Sequence, residues 1–511
     1  MGIQKKVDTS GITLPSGFDS LDKYASELDS AYQQYGYLAR MHIVDFFVSD
    51  HWSSLPQEWQ EYFDADDFEI VTLINMASAG TLKATCPDSL RTYVNQMFAL
   101  QFPREKANLH SKSSQTEEEK LKILKYFLEG MSPKKQAEVA ELSQLINDVA
   151  KASNCQQITD VGAGQGYLTR VLAYASGSSG AELLALDHDW KQAYGAEKYQ
   201  KRILKRLKGP HARAEGYQWD DSLAKRIMHD VQPIDMQSAR ALKAIAKSSI
   251  PGGNYMICGL HACGDLSSAM LKSFAESDMA AVVLVPCCYN HITENSYVHG
   301  AVFGKQLNQS QYCAQPGFPL STKFPNVVFG TNALKAACQA ALRWEHDFGR
   351  TMEAFKRNYF RAMLHHLMVS IGGLSTYDKF PVVGSITNTL MENARLRIVD
   401  RLDDNAADAT DDNIEFAVYV EAALENINYT WRPTIAQCIN CCGQIRHGLK
   451  RMAAVWALRS MIGALIESIL VVDRAAYLSE NCGAGGSVRA FALFDPVTSP
   501  RNIVFVAQRK K

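Results

Sequence analysis

The chain has 511 residues and a mass of 56.7 kDa, with 47% hydrophobic and 21% charged residues. That composition excludes a wholly disordered chain, a collagen-like chain and a small disulfide scaffold. Lys and Arg number 53 against 54 Asp and Glu, a formal net charge of −1, so no global basic field exists to hold nucleic acid and any such binding needs a local basic face. At about 150 residues per domain the length suggests roughly three units. The opening MGIQKKVDTSGITLPSG has no apolar run after its charges, as a secretory signal requires. Lys6 stands where the myristoylation pattern following Met-Gly wants Ser or Thr. The 12 cysteines are irregularly spaced, and reduced thiols are the expectation.

Residues 1–115 read as a helical N-terminal region. Leu21, Tyr24, Ala25 and Leu28 keep one face apolar at helical spacing, and Trp52 and Trp59, either side of a Leu55-Pro56 break, read as core. Residues 105–119 are polar and Ser-rich, a connector, followed by a helix over 119–128 and another that begins at the Ser132 cap with Pro133 in its first position. Within 116–330 short apolar runs alternate with amphipathic segments: ITDVGAG, a helix from Tyr167, ELLALD, a helix around Trp190–Leu207, NYMICGLH, a helix through Leu266–Ala275, and AAVVLVPCC. Buried runs separated by helices are the pattern of a parallel α/β sheet. Residues 331–480 return to a helical pattern, interrupted by an acidic stretch at 403–413 that reads as a surface loop. The most membrane-like run, Met452–Val472, carries Arg459 and Glu467, each costly in hydrocarbon, and reads as a buried helix. Residues 481–511 read as an antiparallel hairpin around DPVTSPRN.

The sharpest chemical signal is Asp160-Val161-Gly162-Ala163-Gly164-Gln165-Gly166-Tyr167-Leu168, which closes one strand and opens a helix. Glycines there let backbone approach a ligand where a Cβ would collide, and the helix N-terminus can donate N–H groups. Asp187 ends the next strand, 21 residues after Gly166, at the distance at which a carboxylate can accept from a ribose diol. The loop suits a dinucleotide or S-adenosylmethionine, and two details favour the second. Asp160 stands just before the glycines, where it would attract an ammonium group and repel a pyrophosphate. The spacing is also Gly-x-Gly-x-Gly and not Gly-x-Gly-x-x-Gly. An NAD-dependent oxidoreductase is the weaker alternative.

Two further strand ends should face the same crevice, because ligands lie at the carboxyl ends of strands in open α/β sheets. One is Gly259-Leu260-His261-Ala262-Cys263-Gly264-Asp265-Leu266, the other Val285-Pro286-Cys287-Cys288-Tyr289-Asn290. His261 could be a proton acceptor, a hydrogen-bond donor or a turn residue; Asp265 precedes a helix and could equally be a cap. Cys287 and Cys288 suit tight packing. A metal is not expected: Cys438-x-x-Cys441-Cys442 offers one CxxC spacing with no second pair.

Met131-Ser132-Pro133-Lys134-Lys135-x-x-Glu138, DVGAGQGYL, LHACGDLS, PCCYN, ESILVVDRAAYLSE and FDPVTSPRN occur in that order. Together they resemble the methyltransferase-like protein 25 family, which includes the ribosomal RNA adenine dimethylase domain-containing proteins. A more distant resemblance, in the Lys-Lys, His-x-Cys-Gly and Cys-Cys elements, is to the tRNA acceptor-stem 2′-O-methyltransferase. The resemblance implies a class I, Rossmann-like methyltransferase fold using S-adenosylmethionine. It implies a large helical insertion before the C-terminal hairpin, which completes the sheet with a reversed last strand. It brings Lys134, Lys135 and the His261–Asp265 segment towards the pocket. The cofactor contacts expected on these grounds are Lys135, Asp160, Gly162, Gly164, Gly166, Tyr167, Leu168, Asp187, His188 and His261. One departure is that an Asn/Asp-Pro-Pro-Tyr-like tetrad, typical of adenine-N6 methyltransferases after the fourth strand, is replaced by His261-Ala262-Cys263-Gly264.

The chemistry expected is alignment of an acceptor lone pair opposite the activated C–S bond and removal of its proton. The candidate catalytic residues are His261, Asp265, Cys287 and Tyr289: His261 or Asp265 to take the proton, Cys287 to shape the pocket, Tyr289 to stack on a base. In a different chemistry Cys287 or Cys288 attacks C6 of a pyrimidine, with Cys263 as its release partner. RNA is the expected acceptor, by analogy with the tRNA enzyme. A protein acceptor, or a cofactor-binding interaction protein without turnover, is the alternative. Lys201-Arg202, Lys205-Arg206-Lys208 and Arg446-Lys450-Arg451 are basic clusters that either meet phosphates or are helix-surface charge. A cytoplasmic or nuclear location without membrane association is expected.

Overall fold

The computed structural model describes residues 6–7, 11–107, 127–128, 130–174, 180–214, 227–231, 253–294, 316–375, 378–401, 410–445 and 447–510. The helix expected over 119–128, apart from Phe127 and Leu128, lies outside them, as do the connector beyond 107 and Arg446.

Seven strands form the main sheet: β1 (Gln157–Val161), β2 (Glu182–Asp187), β3 (Ile227–Val231), β4 (Tyr255–Cys263), β5 (Ala281–Cys287), β6 (Ser487–Ala492) and β7 (Ile503–Gln508). Their order is β3-β2-β1-β4-β5-β7-β6. The first five are parallel, and β7 runs antiparallel between β5 and β6. This is the class I, Rossmann-like arrangement with a reversed last strand. Strands covered on both faces must be continuously apolar, and every residue of QITDV in β1 and AVVLVPC in β5 is buried. The chain winds outward from β1 to β3 and returns at β4 on the other side, which makes the carboxyl ends of β1 and β4 the switch point where a crevice opens.

Four helices frame that edge: α1 (Pro133–Ala152), α2 (Tyr167–Tyr174), α3 (Trp190–Leu207) and α4 (Asp265–Ala275). The Ser132 hydroxyl caps α1 by accepting from Lys135 N, with Pro133 in the first turn, and the Asp189 carboxylate caps α3 by accepting from Lys191 N. One core joins Val139, Leu142 and Ile146 of α1 to Ile158, Val283, Val285, Val504 and Val506 of the strands.

The chain divides into two compact units, one of residues 1–34, 99–338 and 464–511, the other of 35–98 and 339–463. These divisions differ from those expected at 115, 330 and 480. Residues 35–98 pair with the insertion instead of standing as part of an N-terminal region: Tyr93 OH donates to Leu458 O, Arg451 donates twice to Asp64, and its guanidinium lies over Trp52. Trp52 and Trp59 are core, and a helix begins at Gln57 directly after Pro56.

In the second unit Thr387, Thr410 and Thr434 cap successive helices through their hydroxyls. The loop expected at 403–413 is therefore corrected at its end. Residues 403–409 lie outside the described set, but Asp411 and Asp412 form the first turn of the helix Asp411–Asn426, where carboxylates favour the positive end of the dipole. Cys438 and Cys441 are buried in this unit's core. The long helix α5 (Gly448–Asn481) is the one described helix long and apolar enough to cross a membrane, and 89% of its apolar window is buried inside the protein.

Candidate functional site

The β1–α2 loop is held by its own backbone. Gly162 N and Ala163 N both donate to Leu186 O, at 2.9 and 3.1 Å. Gly164 N donates to Asp187 Oδ2 at 2.7 Å, and Asp187 Oδ1 accepts from Asp189 N at 2.9 Å. Asp187 thus ends β2 as expected and ties the glycine turn to its neighbour strand. Gly162, Gly164 and Gly166 all have positive φ, at 74°, 55° and 65°. A Cβ on Gly164 would meet nothing within 4 Å, whereas one on Gly166 would stand 3.1 Å from Ala196 Cβ. The middle glycine therefore borders open space, and the last one lets α2 pack against α3.

Asp160 is fully buried beneath this loop and accepts from Thr169 Oγ1 at 2.6 Å. Burial pushes its pKa up to about 6 against the Thr169 hydrogen bond, with the nearby Asp187 carboxylate adding to the rise. Two cations lie by the Tyr167 ring: Lys135 Nζ is 5.6 Å and Arg170 Cζ 4.8 Å from its centre, and the Tyr167 hydroxyl donates to Gly130 O. Leu168 is buried in the core, while the His188 side chain is exposed with Nδ1 3.4 Å from Asp187 Oδ1.

At the end of β4 the ladder to β5 shifts between Leu260 and Ala262, and His261 takes up the slack with φ 63°. Its Nε2 lies 2.9 Å from Glu138 Oε2 on α1. Glu138 Oε1 accepts from Ser499 Oγ at 2.6 Å and faces Lys134 Nζ at 3.5 Å. Glu138 is 1% exposed. Burial alone would raise its pKa, and the hydrogen bonds from His261 and Ser499 overcome that and hold it below the ordinary value. A carboxylate can only accept, so Nε2 carries a proton, and in the neutral imidazole the lone pair is then on Nδ1.

Three sulfurs meet beside His261. Cys263 Sγ lies 3.2 Å from Cys287 Sγ, which lies 3.6 Å from Cys288 Sγ. Hydrogen bonding from Cys287 holds the Cys263 pKa down to about 6, and sharing with Cys263 together with burial raises that of Cys287. Cys287 is buried and Cys263 exposed.

The stacking role read for Tyr289 and the cap reading of Asp265 are corrected. Tyr289 is 1% exposed; its hydroxyl donates to Glu467 Oε1 at 3.1 Å, and the Arg501 guanidinium lies 5.7 Å over its ring. Tyr289 follows the left-handed Cys288 and its ring lies inside the protein. Asp265 is not the cap of α4, which is Gly264; its Oδ1 accepts from Thr293 N at 2.8 Å and holds the following segment. Glu138 and Ser499 are the partners that reasoning on local motifs missed as site residues, although both stand in the Lys134-Lys135-x-x-Glu138 and FDPVTSPRN elements.

Of the basic clusters, Lys201, Arg202, Lys205, Arg206 and Lys208 are exposed along α3 and its end. Lys450 and Arg451 are instead engaged within the second unit, by Ala65 O and Asp64.

Residues 134–295 match the family described as a methyltransferase domain. The chain is 26% identical over 262 residues to "Probable methyltransferase-like protein 25" of Mus musculus, covering 50% of this chain and 38% of that protein. It is 25% identical over 260 residues to the protein of the same name from Homo sapiens, covering 50% and 37%. The matched part of the chain therefore spans well under half the length of these relatives, which bear the name of the family that its motifs resemble. Against the methyltransferase domain of bacterial CtHen1-CN it is 14% identical with a TM-score of 0.20, over 33% of this chain and 73% of that one, too slight a likeness to argue from.

Proposed function

We propose that this chain, through its methyltransferase domain, transfers a methyl group from S-adenosylmethionine to RNA. The observation that carries the reading is the β1–α2 loop, with its three left-handed glycines, the open face at Gly164 and Asp187 closing the neighbouring strand. These residues fit the cofactor: a side chain at 164 would stand in the opening, and a carboxylate at each of two adjacent strand ends suits a ligand with an ammonium group and a ribose diol. When bound, S-adenosylmethionine supplies a methyl already activated by its sulfonium.

The protein's own part is binding, orientation and proton removal. Asp187 would accept from the ribose hydroxyls and Asp160 would offset the ammonium charge. His261, with Nε2–H held by Glu138, presents the lone pair of Nδ1 to the acceptor and takes its proton. Glu138 stabilises the imidazolium so formed and is itself steadied by Ser499 and Lys134. That arrangement suits a hydroxyl, which must lose a proton to become an effective nucleophile. RNA as acceptor is supported by the likeness of the Lys134-Lys135, His261-x-Cys263-Gly264 and Cys287-Cys288 elements to the tRNA enzyme and by the exposed basic face of α3. With such an acceptor the place of action is the cytoplasm or the nucleus.

The test is incubation of the purified chain and methyl-labelled cofactor with RNA-only and protein-only cell extracts, beside a calorimetric titration with S-adenosylhomocysteine. Label is expected in RNA, with saturable binding. Label confined to protein overturns the acceptor, and an absence of binding overturns the whole reading.

A further inference from the structure

We propose that Cys263, Cys287 and Cys288 form a three-thiolate site for one zinc ion, with the fourth coordination position open. The sulfurs lie 3.2 and 3.6 Å apart along the Cys263–Cys287–Cys288 sequence of contacts, and all three fall within 4.8 Å of one another. With Zn–S bonds of about 2.3 Å, three corners of a tetrahedron are about 3.8 Å apart, so only small shifts separate this triangle from a zinc face.

The backbone is shaped to make that triangle. Successive side chains of an extended strand point to opposite faces, so Cys287 and Cys288 would diverge at the end of β5. They converge because Cys288 adopts φ 51° and ψ 50°, a left-handed conformation unfavourable for a residue with a Cβ. On the facing strand the register shift at left-handed His261 sets Cys263 directly opposite Cys287. Two strained non-glycine residues thus flank one cluster, the kind of strain that persists at functional sites.

Packing alone does not account for the arrangement, because Cys263 is exposed and Cys288 only half-buried, leaving an entry path. One disulfide would use two of the three sulfurs and leave the third. Soft thiolates select zinc over magnesium or calcium. Among the described residues no fourth His, Cys, Asp or Glu ligand atom falls in the same group as these three sulfurs, so water or an acceptor atom takes the remaining position. On binding, each thiol yields its proton to solvent and its sulfur donates a lone pair; no electron is transferred.

The site is independent of the methyl-transfer reading and is tested without it. The full chain, prepared with zinc in reducing buffer and desalted, is assayed by elemental analysis, and the apo chain is titrated with Co²⁺. One zinc per chain and a near-ultraviolet thiolate-to-cobalt charge-transfer band are expected. Cys263→Ser, an exposed position, is expected to weaken zinc at least tenfold and abolish the band, and Cys442→Ser, in the other unit, to leave both unchanged. Substoichiometric zinc with no cobalt band in the wild-type chain overturns the proposal, as does undiminished zinc binding by Cys263→Ser.

Discussion

Asp160 is a single carboxylate held at the expense of the fold. It is fully buried, its described side-chain partner is the Thr169 hydroxyl, and its pKa stands at about 6 against an ordinary 3.8. The native state therefore binds the proton more tightly than the unfolded chain, so stability is greatest below pH 4 as far as this group is concerned and falls as pH rises towards 6. Two units correspond to about 3 kcal/mol. Asp160→Asn, which still accepts from Thr169, is expected to raise the thermal midpoint at pH 7.5 relative to the parent, with the difference fading near pH 4. The same substitution is expected to weaken S-adenosylmethionine binding at least tenfold. A midpoint difference independent of pH would show that the buried charge is not its source. His261 and Glu138 make a complementary pair of predictions. His261→Asn is expected to lower turnover by about 10²- to 10³-fold with S-adenosylhomocysteine affinity unchanged, and Glu138→Gln to lower it less, since an amide can still orient the ring but cannot stabilise its charge. Calorimetry and initial rates on the same preparations separate binding from proton transfer, and full activity in His261→Asn would remove it from the mechanism.

At the level of elements, the β1–α2 loop was legible because everything it needs is consecutive: a strand, an acid, three glycines and a helix start. Four of the five parallel strands and the helices between them were legible for the same reason, since buried β-runs and amphipathic helices announce themselves by local periodicity; the edge strand β3, IMHDV, was not, because most of it is only half-buried or exposed and it carries His229 and Asp230. The Glu138–His261 bond joins residues 123 apart and the Ser499–Glu138 bond residues 361 apart. No local pattern carries such a pairing; only closure of the sheet by β7 brings the SPRN turn beside α1. Tyr289 was misplaced because a left-handed Cys288 cannot be read from a Cys-Cys pair. Within the loop, the roles of the middle and last glycines differ in a measurable way. Gly166→Ala is expected to cost stability through left-handed strain of about 1–2 kcal/mol plus the clash with Ala196. Gly164→Ala carries the strain without the clash, so its larger effect is expected on cofactor affinity, because the new methyl group enters the opening. Urea midpoints and cofactor titrations of the pair should rank oppositely; equal affinity losses would mean that the open face at 164 is not the cradle.

On the scale of the whole molecule, Glu467 joins parts of the chain that are remote in sequence. It lies in the second half of α5, is 1% exposed, and is bonded by Arg104, by Arg501 at 2.5 Å and by the Tyr289 hydroxyl. Asn502, next to Arg501, donates to Arg104 O and Phe494 O, so the N-terminal segment, α5 and the terminal hairpin meet around one carboxylate. Ser499 belongs to the same turn and steadies Glu138, which links this junction to the Glu138–His261 pair. A buried carboxylate shared by two guanidinium groups is costly to break, because removal of the negative charge leaves both cations largely desolvated. Glu467→Gln, nearly isosteric, is therefore expected to lower stability by about 3 kcal/mol. It should also reduce turnover in conditions where the protein remains folded, since the Ser499 turn loses its anchor. Glu467→Asp, which keeps the charge, is expected to recover part of both. Urea unfolding monitored by circular dichroism, with activity measured on the folded fraction, decides the matter. Stability lost with turnover per folded molecule intact would confine Glu467 to the core, whereas loss of both, with partial recovery in the aspartate variant, would make the junction a support of the site as well as of the fold.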